Sequence, residues 1–222
     1  GKPGARLLLG DVSQPDTLFP YILMYPQSKH ERTLLDFLTL TCCPVYWHTS
    51  LTSLTPSNSS VTLLLESDGA TQTITAGWLV GADGAHSTVR KQLGIAFNGD
   101  TYKHLFYLID GKLCNVKAPG LLNLFFSDHG LAAFFPMPDE GYYRVIGNLP
   151  DELDENADLR LEDLQPSLNQ ITGFKVDIEE CRWMATYKLH HRMADHFRQG
   201  RCFLIGDAAH IHSPVGGQGM NT

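Results

Sequence analysis

The chain has no long basic run and no long apolar run. Its 222 residues carry a formal net charge of −7, whereas nucleic-acid-binding proteins need clustered Lys and Arg for phosphate contacts. No apolar stretch approaches the roughly 20 residues that a membrane-spanning helix requires. We therefore expect no nucleic-acid partner and no membrane span. The oligomeric state has no signature in the sequence.

Cysteine is scarce and shows no pattern. The cysteines show no C-x-x-C spacing, and an odd number without a framework is typical of a reducing compartment. We therefore predict a cytoplasmic location. A reactive thiol needs an electropositive, partly exposed setting, so the adjacent Cys42 and Cys43 are expected to be core residues. The five cysteines are Cys42, Cys43, Cys114, Cys181 and Cys202.

Convincing metal-ligand spacing is also missing. His190, His191, His210 and His212 offer imidazole groups, but no second pair of ligands stands at a spacing typical of a metal site. We predict that the chain holds no metal.

What the chain does contain is typical of a folded protein. Hydrophobic residues make up 43% of the sequence and charged residues 18%, which argues for a globular chain and against disorder. The length suffices for one large or two small domains with a sizeable core.

The most informative stretch is residues 200–222, GRCFLIGDAAHIHSPVGGQGMNT. An apolar run at 202–205 ends at Gly206, which is typical of a buried strand in a parallel sheet. Asp207 follows at once, where open α/β sheets bind ligands and where a carboxylate suits a ribose hydroxyl. Beyond it, the glycines Gly216, Gly217 and Gly219 allow backbone N–H groups to approach a ligand closely. A helix starting near Gly217 would direct its dipole at an electron-rich group.

A second motif, LVGADGAHSTVR at residues 79–90, supports the same interpretation. With the C-terminal stretch it resembles the two flavin fingerprints, Asp-Gly and Gly-Asp, of the FAD-dependent aromatic hydroxylases, the family of p-hydroxybenzoate hydroxylase and phenol hydroxylase. Asp83, Gly84, Ser87 and Arg90 stand at the expected spacing. The two motifs occur in the family's order and about the right distance apart, and the resemblance covers most of the chain.

The resemblance implies an FAD-dependent monooxygenase that uses NAD(P)H and O₂ to hydroxylate an aromatic or related small organic substrate. FAD would carry the redox chemistry, while the protein orients it and excludes water. Asp207 would accept hydrogen bonds from FAD hydroxyls, and Pro214 would line the reaction site as its one implied catalytic residue. Asp83 would lie near the pyrophosphate and accept bonds from ribose or from ordered backbone donors. The implied cofactor-binding residues are Gln27, Asp83, Gly84, Arg90, Gly206, Asp207, Gly216, Gly217 and Gly219.

One expected element of this family is missing from the sequence. The family opens with a strand, a G-x-G-x-x-G turn and a helix that hold the FAD pyrophosphate, and no such motif occurs here. The flavin-facing helix should also continue beyond Thr222. We therefore expect an internal fragment of a larger enzyme, which by itself is folded, inactive and free of flavin because it holds FAD less tightly than the whole enzyme would.

The order of elements in the first part of the chain predicts a partial FAD-binding domain. Residues 5–12, 18–23 and 45–54 are typical of strands, and a helix is predicted over 29–41 with a capping box formed by Ser28 and Glu31. Gln27 matches a family glutamine that bonds the flavin, although it could equally be an ordinary residue at a helix start. Alternating residues at 61–65 and 71–75 flank a hairpin turn at Asp68-Gly69. A buried strand at 78–82 and a short helix at 86–93 follow.

The sequence pattern after residue 96 predicts a different architecture. Strand patterns at 102–116, 121–126, 131–135, 142–149 and 183–189 are separated by turns, and Pro166 is predicted to open a helix over 166–171. The expected fold is mixed α/β: an incomplete Rossmann-like FAD-binding domain at 1–96 and 191–222, and a mainly antiparallel substrate-binding sheet at 97–190.

Two alternatives remain at this stage. One is another flavoenzyme on the same fold, a halogenase or a reductase, although the surroundings of Trp47, Trp78 and Trp183 show no W-x-W-x-I-P element typical of halogenases. The other is a truncated or degenerate flavin-fold module that binds without catalysis, which the missing Gly-rich turn favours.

Overall fold

The structure is a computed structural model that describes residues 18–19, 21, 23, 25–149 and 160–212. Its α-helices are α1 (Gln27–Leu40), α2 (Thr88–Gln92) and α3 (Leu161–Thr172). Its strands are β1 (Thr49–Pro56), β2 (Val61–Ser67), β3 (Ala70–Ala76), β4 (Leu79–Gly81), β5 (Phe97–Cys114), β6 (Asn123–Ser127), β7 (Gly130–Pro136), β8 (Tyr142–Asn148), β9 (Asp177–Ala194), β10 (Arg198–Gln199), β11 (Cys202–Leu204) and β12 (His210–Ile211). A 3₁₀ turn, Gly206–Ala208, lies between the last two strands.

The chain divides into two compact units, Gly1–Cys42 with His104–Tyr187, and Cys43–Lys103 with Lys188–Thr222. We call them the sheet unit and the fingerprint unit. Both β5 and β9 begin in one unit and end in the other. The predicted strand at 5–12 lies outside the described residues.

In the sheet unit the strand order is β9-β5-β8-β7-β6, and β5 to β8, β8 to β7 and β7 to β6 pair antiparallel. Inward residues at alternate positions, such as Ile109, Val145 and Phe134, form a core with one side of α3. Leu164 and Leu168 of α3 are fully buried there. The predicted mainly antiparallel sheet is confirmed, because its period-two pattern matches the alternation of side chains on a pleated strand.

In the fingerprint unit, β1, β2 and β3 form an antiparallel sheet. The predicted hairpin turn between β2 and β3 is confirmed, with φ of 50° at Asp68 and 79° at Gly69. A second small sheet has the order β10-β11-β4, in which β11 and β4 are parallel. The buried core joins β2, α2 and β11 through Val61, Val89 and Leu204, among others.

Several local expectations were wrong. The residue before α1 is Pro26, whose φ of −59° suits a helix start, so Ser28 lies inside the first turn and forms no capping box. Helix α3 begins at Leu161, and Pro166 lies within it instead of opening it. The backbone N–H of Arg160 donates to the Asp163 carboxylate at 2.8 Å, which fixes the earlier start.

The expected burial was also wrong at two places. Cys42 and Cys43 are exposed, because they follow α1, which has no buried residue. Strand β4 is buried on one face only: Gly81 is buried, whereas Val80 is 54% exposed. No described helix is both long and apolar enough to cross a membrane.

Candidate functional site

The two fingerprint motifs lie on neighbouring parallel strands. Cys202 pairs with Leu79 and Leu204 with Gly81, and the Ile205 N–H donates to the Gly81 carbonyl at 3.0 Å. Because parallel strands end at the same edge of a sheet, the loops that carry Asp83 and Asp207 leave the sheet at one edge. This is the edge where open α/β sheets bind ligands.

Asp83 is bonded to the helix that follows it. One carboxylate oxygen accepts from the Ser87 hydroxyl at 2.5 Å, and the other accepts from the backbone N–H groups of Thr88 and Val89 at 2.7 and 3.1 Å. The Ser87 hydroxyl in turn accepts from the Arg90 N–H at 2.9 Å. Gly84, with φ of 78°, makes the turn that returns the chain toward the carboxylate. The Asp-Gly motif therefore closes a loop over the N-terminus of α2.

These contacts predict a pH dependence of stability. Partial burial raises the pKa of Asp83, but the hydrogen bonds from Ser87, Val89 and Thr88 outweigh it and place the pKa below the ordinary value of 3.8. A depressed folded-state pKa stabilises the fold above the unfolded-state pKa, and that contribution is lost as the pH falls through the folded value.

We therefore expect Asp83→Asn to reduce stability at neutral pH, and the difference from the wild type to shrink as the pH falls below about 4. Denaturant unfolding of both proteins between about pH 2.5 and 7 measures it. A difference that stays constant over the whole range would show that the charge of Asp83 contributes nothing.

Arg90 connects the two fingerprint loops. It is only 4% exposed, and its Nη1 donates to the Ala208 carbonyl at 2.8 Å while Nη2 donates to the Ala85 carbonyl at 2.7 Å. Its guanidinium lies 3.7 Å from the centre of the Phe97 ring. Ala85 belongs to the Asp-Gly loop and Ala208 to the Gly-Asp loop, so one side chain fixes the separation of both.

Asp207 differs from Asp83 in its hydrogen bonding, although both residues are exposed. It is exposed, at the start of the 3₁₀ turn, and forms no hydrogen bond or ion pair with the described residues. The preceding Gly206 has φ of 55°, a left-handed conformation that glycine adopts without strain. The carboxylate of Asp207 is thus available to accept hydrogen bonds from a ligand.

Of the remaining predicted residues, the structure describes Gln27 and the histidines. Gln27 is the first residue of α1 in the sheet unit, where its Nε2 donates to the Glu31 carboxylate at 2.7 Å. Pro214, Gly216, Gly217 and Gly219 lie outside the described residues. His190, His191, His210 and His212 join no group of three or more possible metal ligands in the described part of the chain.

One supporting residue was missed by sequence reasoning. The Gln92 side chain at the end of α2 accepts from the Leu54 N–H at 2.8 Å and donates to the Thr52 carbonyl at 2.7 Å. These two hydrogen bonds hold α2 against β1, at the point where the β1–β2 register shifts between Leu51 and Ser53. No local sequence pattern predicts such a contact, because the two residues that form it are about 40 positions apart in the chain.

Comparison with known proteins agrees with this geometry. A family model described as FAD binding domain matches residues 9–222. The chain is 33% identical over 209 residues to 6-methylpretetramide 4-monooxygenase of Streptomyces rimosus, covering 93% of this chain and 37% of that protein. It is 32% identical over 207 residues to pentachlorophenol 4-monooxygenase of Sphingobium chlorophenolicum, covering 91% and 38%.

A solved structure shows the same likeness in three dimensions. The complex of aklavinone-11 hydroxylase with FAD and aklavinone superimposes with a TM-score of 0.73 at 25% identity, covering 96% of this chain and 41% of that chain. The chain thus spans about two fifths of the length of these relatives.

Proposed function

This chain belongs to the FAD-binding-domain family of flavin-dependent aromatic hydroxylases, and on that premise we propose that it is part of an FAD-dependent monooxygenase using NAD(P)H and O₂. The substrate we propose is an aromatic or related small organic molecule. Relatives named for pentachlorophenol and for aklavinone support that substrate class.

The observation that carries this proposal is the difference between the two fingerprint carboxylates. Asp83 has both oxygens bonded to Ser87 and to α2, whereas Asp207 is exposed and has no partner among the described residues. A free carboxylate at the carboxyl end of a parallel strand fits the hydroxyl groups of a dinucleotide. The residues present therefore fit FAD, with Asp207 as the acceptor.

The other fingerprint residues would act on FAD by holding the loops. Asp83 and Gly84 fix the Asp-Gly loop on α2, and Arg90 ties that loop to Ala208 beside Asp207. Gly206 allows the sharp departure of the chain from β11. These contacts preorganise the acceptor, which lowers the entropic cost of binding the cofactor.

The chemistry itself belongs to the cofactor. When bound, FAD accepts reducing equivalents from NAD(P)H and activates O₂. We propose that Gly216, Gly217 and Gly219 present backbone N–H groups to the flavin, that Gln27 hydrogen-bonds the flavin side of FAD, and that Pro214 lines the reaction site. Such donors stabilise negative charge without reorganising during the reaction.

The division of labour along the chain is also a proposal. We assign residues 1–96 and 191–222 to FAD binding and 97–190 to substrate binding. The antiparallel sheet with α3 on one side supports the second assignment. We propose a cytoplasmic location, which the five free cysteines support.

Replacing Asp207 tests the proposed function. In the intact protein, Asp207→Ala should weaken FAD binding about ten- to a hundredfold, because a charge-assisted hydrogen bond contributes on the order of 1.5–3 kcal/mol. Titration of the apoprotein with FAD, followed by flavin fluorescence, measures the change. Stability should be unaffected, since the side chain has no partner among the described residues.

Two further variants sharpen that test. Asp207→Asn keeps an acceptor oxygen and should lose less affinity than Asp207→Ala. Asp128→Ala removes an exposed carboxylate from the turn between β6 and β7 and should leave FAD binding unchanged. Equal affinities for the wild type and Asp207→Ala would refute the role assigned to Asp207.

A further inference from the structure

Cys42 and Cys43 are two neighbouring thiols that follow the C-terminal end of α1. Both are exposed, and neither forms a disulfide. The Cys42 N–H donates to the Thr39 carbonyl at 3.2 Å, so the last turn of the helix holds the backbone of the first cysteine. Neither sulfur has a hydrogen-bond partner among the described residues. Two free sulfur ligands are therefore adjacent and open to solvent, and neither belongs to the fingerprint loops.

The backbone at this pair departs from an extended strand. Cys42 has φ of 55°, a left-handed conformation that residues with a Cβ rarely adopt. Neighbouring side chains alternate to opposite faces along an extended strand, so this turn does not hold the two thiols on opposite faces. Pro44 follows and restricts Cys43 to an extended backbone. Such a restriction lowers the entropy that the pair loses when both sulfurs bind one centre.

A direct disulfide suits this pair poorly. The peptide bond that joins the two residues sets their Cα atoms about 3.8 Å apart, whereas the Cα atoms of a disulfide are usually about 4.4–6.8 Å apart. A disulfide between adjacent residues is therefore strained and easily reduced. A single atom bonded to both sulfurs avoids this strain, because it lengthens the link between them.

The number of ligands selects the kind of centre that this pair can bind. Zinc in structural sites takes four protein ligands, and no group of three or more possible metal ligands occurs in the described part of the chain. Thiolate ligands select soft, thiophilic centres. An organic trivalent arsenical already carries one arsenic–carbon bond and needs only two sulfurs, which is the number that Cys42 and Cys43 offer.

We propose that Cys42 and Cys43 form a dithiol site that chelates a trivalent arsenical. Two arsenic–sulfur bonds replace the arsenic–oxygen bond of an arsine oxide, and the oxygen leaves as water with the two thiol protons. Arsenic stays trivalent, so the step needs no oxidant or reductant. Binding of the second sulfur is intramolecular, and such linkage raises affinity about a hundred- to ten-thousandfold over a single thiol.

Titration of the intact, reduced protein with phenylarsine oxide tests the site. We expect one equivalent to bind, with a change in the fluorescence of Trp47, an exposed indole close to the pair in the sequence. The mass of the protein should rise by one phenylarsine oxide less one water. Cys42 and Cys43 should then both resist alkylation by iodoacetamide, which peptide mapping locates.

Serine variants separate chelation from binding by one thiol. Cys42→Ser and Cys43→Ser each leave one sulfur and should weaken binding about a hundredfold or more. Cys181→Ser is the matched control, because it removes an exposed cysteine, whose sulfur lies 3.5 Å from the Trp183 carbonyl oxygen. It should leave the affinity for phenylarsine oxide unchanged.

A second readout needs no variant. Ethanedithiol offers two sulfurs and should release the arsenical at a much lower concentration than mercaptoethanol, which offers one. Release by both at the same concentration overturns the proposal, because the arsenical is then held by a single thiol. Wild-type affinity in Cys42→Ser, or a wild-type protein that takes up no arsenical, overturns it as well. No step involves the flavin, so the FAD titration tests the proposed function separately.

Discussion

Replacing Arg90 with methionine is expected to destabilise the protein by about 3–5 kcal/mol. The substitution keeps an unbranched side chain but removes the donors to the buried Ala208 carbonyl and to the partly buried Ala85 carbonyl. An acceptor left unpaired in such surroundings costs about 1–3 kcal/mol. The contact with the Phe97 ring is lost as well, for about 0.5–2 kcal/mol. Urea unfolding followed by circular dichroism measures the change in free energy of unfolding.

A matched substitution separates burial from charge. Arg198→Met removes an exposed arginine from the same unit and should cost less than about 1 kcal/mol, because exposed charges contribute little. Arg90→Met should also weaken FAD binding, since the two fingerprint loops would no longer be held at a fixed separation. Equal stabilities of the two variants would show that Arg90 does not tie the loops together.

Replacing Gly99 with alanine is expected to lower the free energy of unfolding by a similar amount, about 3–5 kcal/mol. The φ of this residue is 141°, a region that side chains rarely adopt, and such strain costs about 1–3 kcal/mol. A Cβ would also overlap the His191 carbonyl oxygen and lie 2.8 Å from the Arg192 Cα. Both are backbone atoms, so relief requires β5 and β9 to separate, and overpacking of this kind adds about 1–3 kcal/mol.

Gly94→Ala is the control that measures the cost of a positive φ alone, without steric overlap. Gly94 also has a positive φ, 68°, but a Cβ there would meet no atom within 4 Å. Its cost should be about 1–2 kcal/mol, that of a left-handed residue. Thermal and denaturant unfolding of both variants measures the difference. If Gly99→Ala destabilises the protein no more than Gly94→Ala does, β5 and β9 do not approach each other as closely as the structure shows.

Much of the fold follows from local sequence patterns. Alternation at residues 61–65 and 71–75 predicted the β2–β3 hairpin, and the short apolar runs before Gly81 and Gly206 predicted two parallel strands, because strand periodicity and glycine punctuation are local properties. The element boundaries shifted where two signals competed. Pro26 displaced the expected cap at Ser28, and the Arg160–Asp163 contact started α3 before Pro166.

The sequence by itself also determined the family, because the Asp-Gly and Gly-Asp motifs occur in the family's order and about the right distance apart. Only the tertiary structure decided what each motif residue does. Asp83 is hydrogen-bonded to Ser87 and α2, whereas Asp207 has no partner among the described residues, although both are aspartates after apolar strands. Arg90 donates to a carbonyl 118 residues away. Such differences are invisible in the sequence, because backbone acceptors exist at nearly every residue and only the folded chain selects which of them lies within hydrogen-bonding distance.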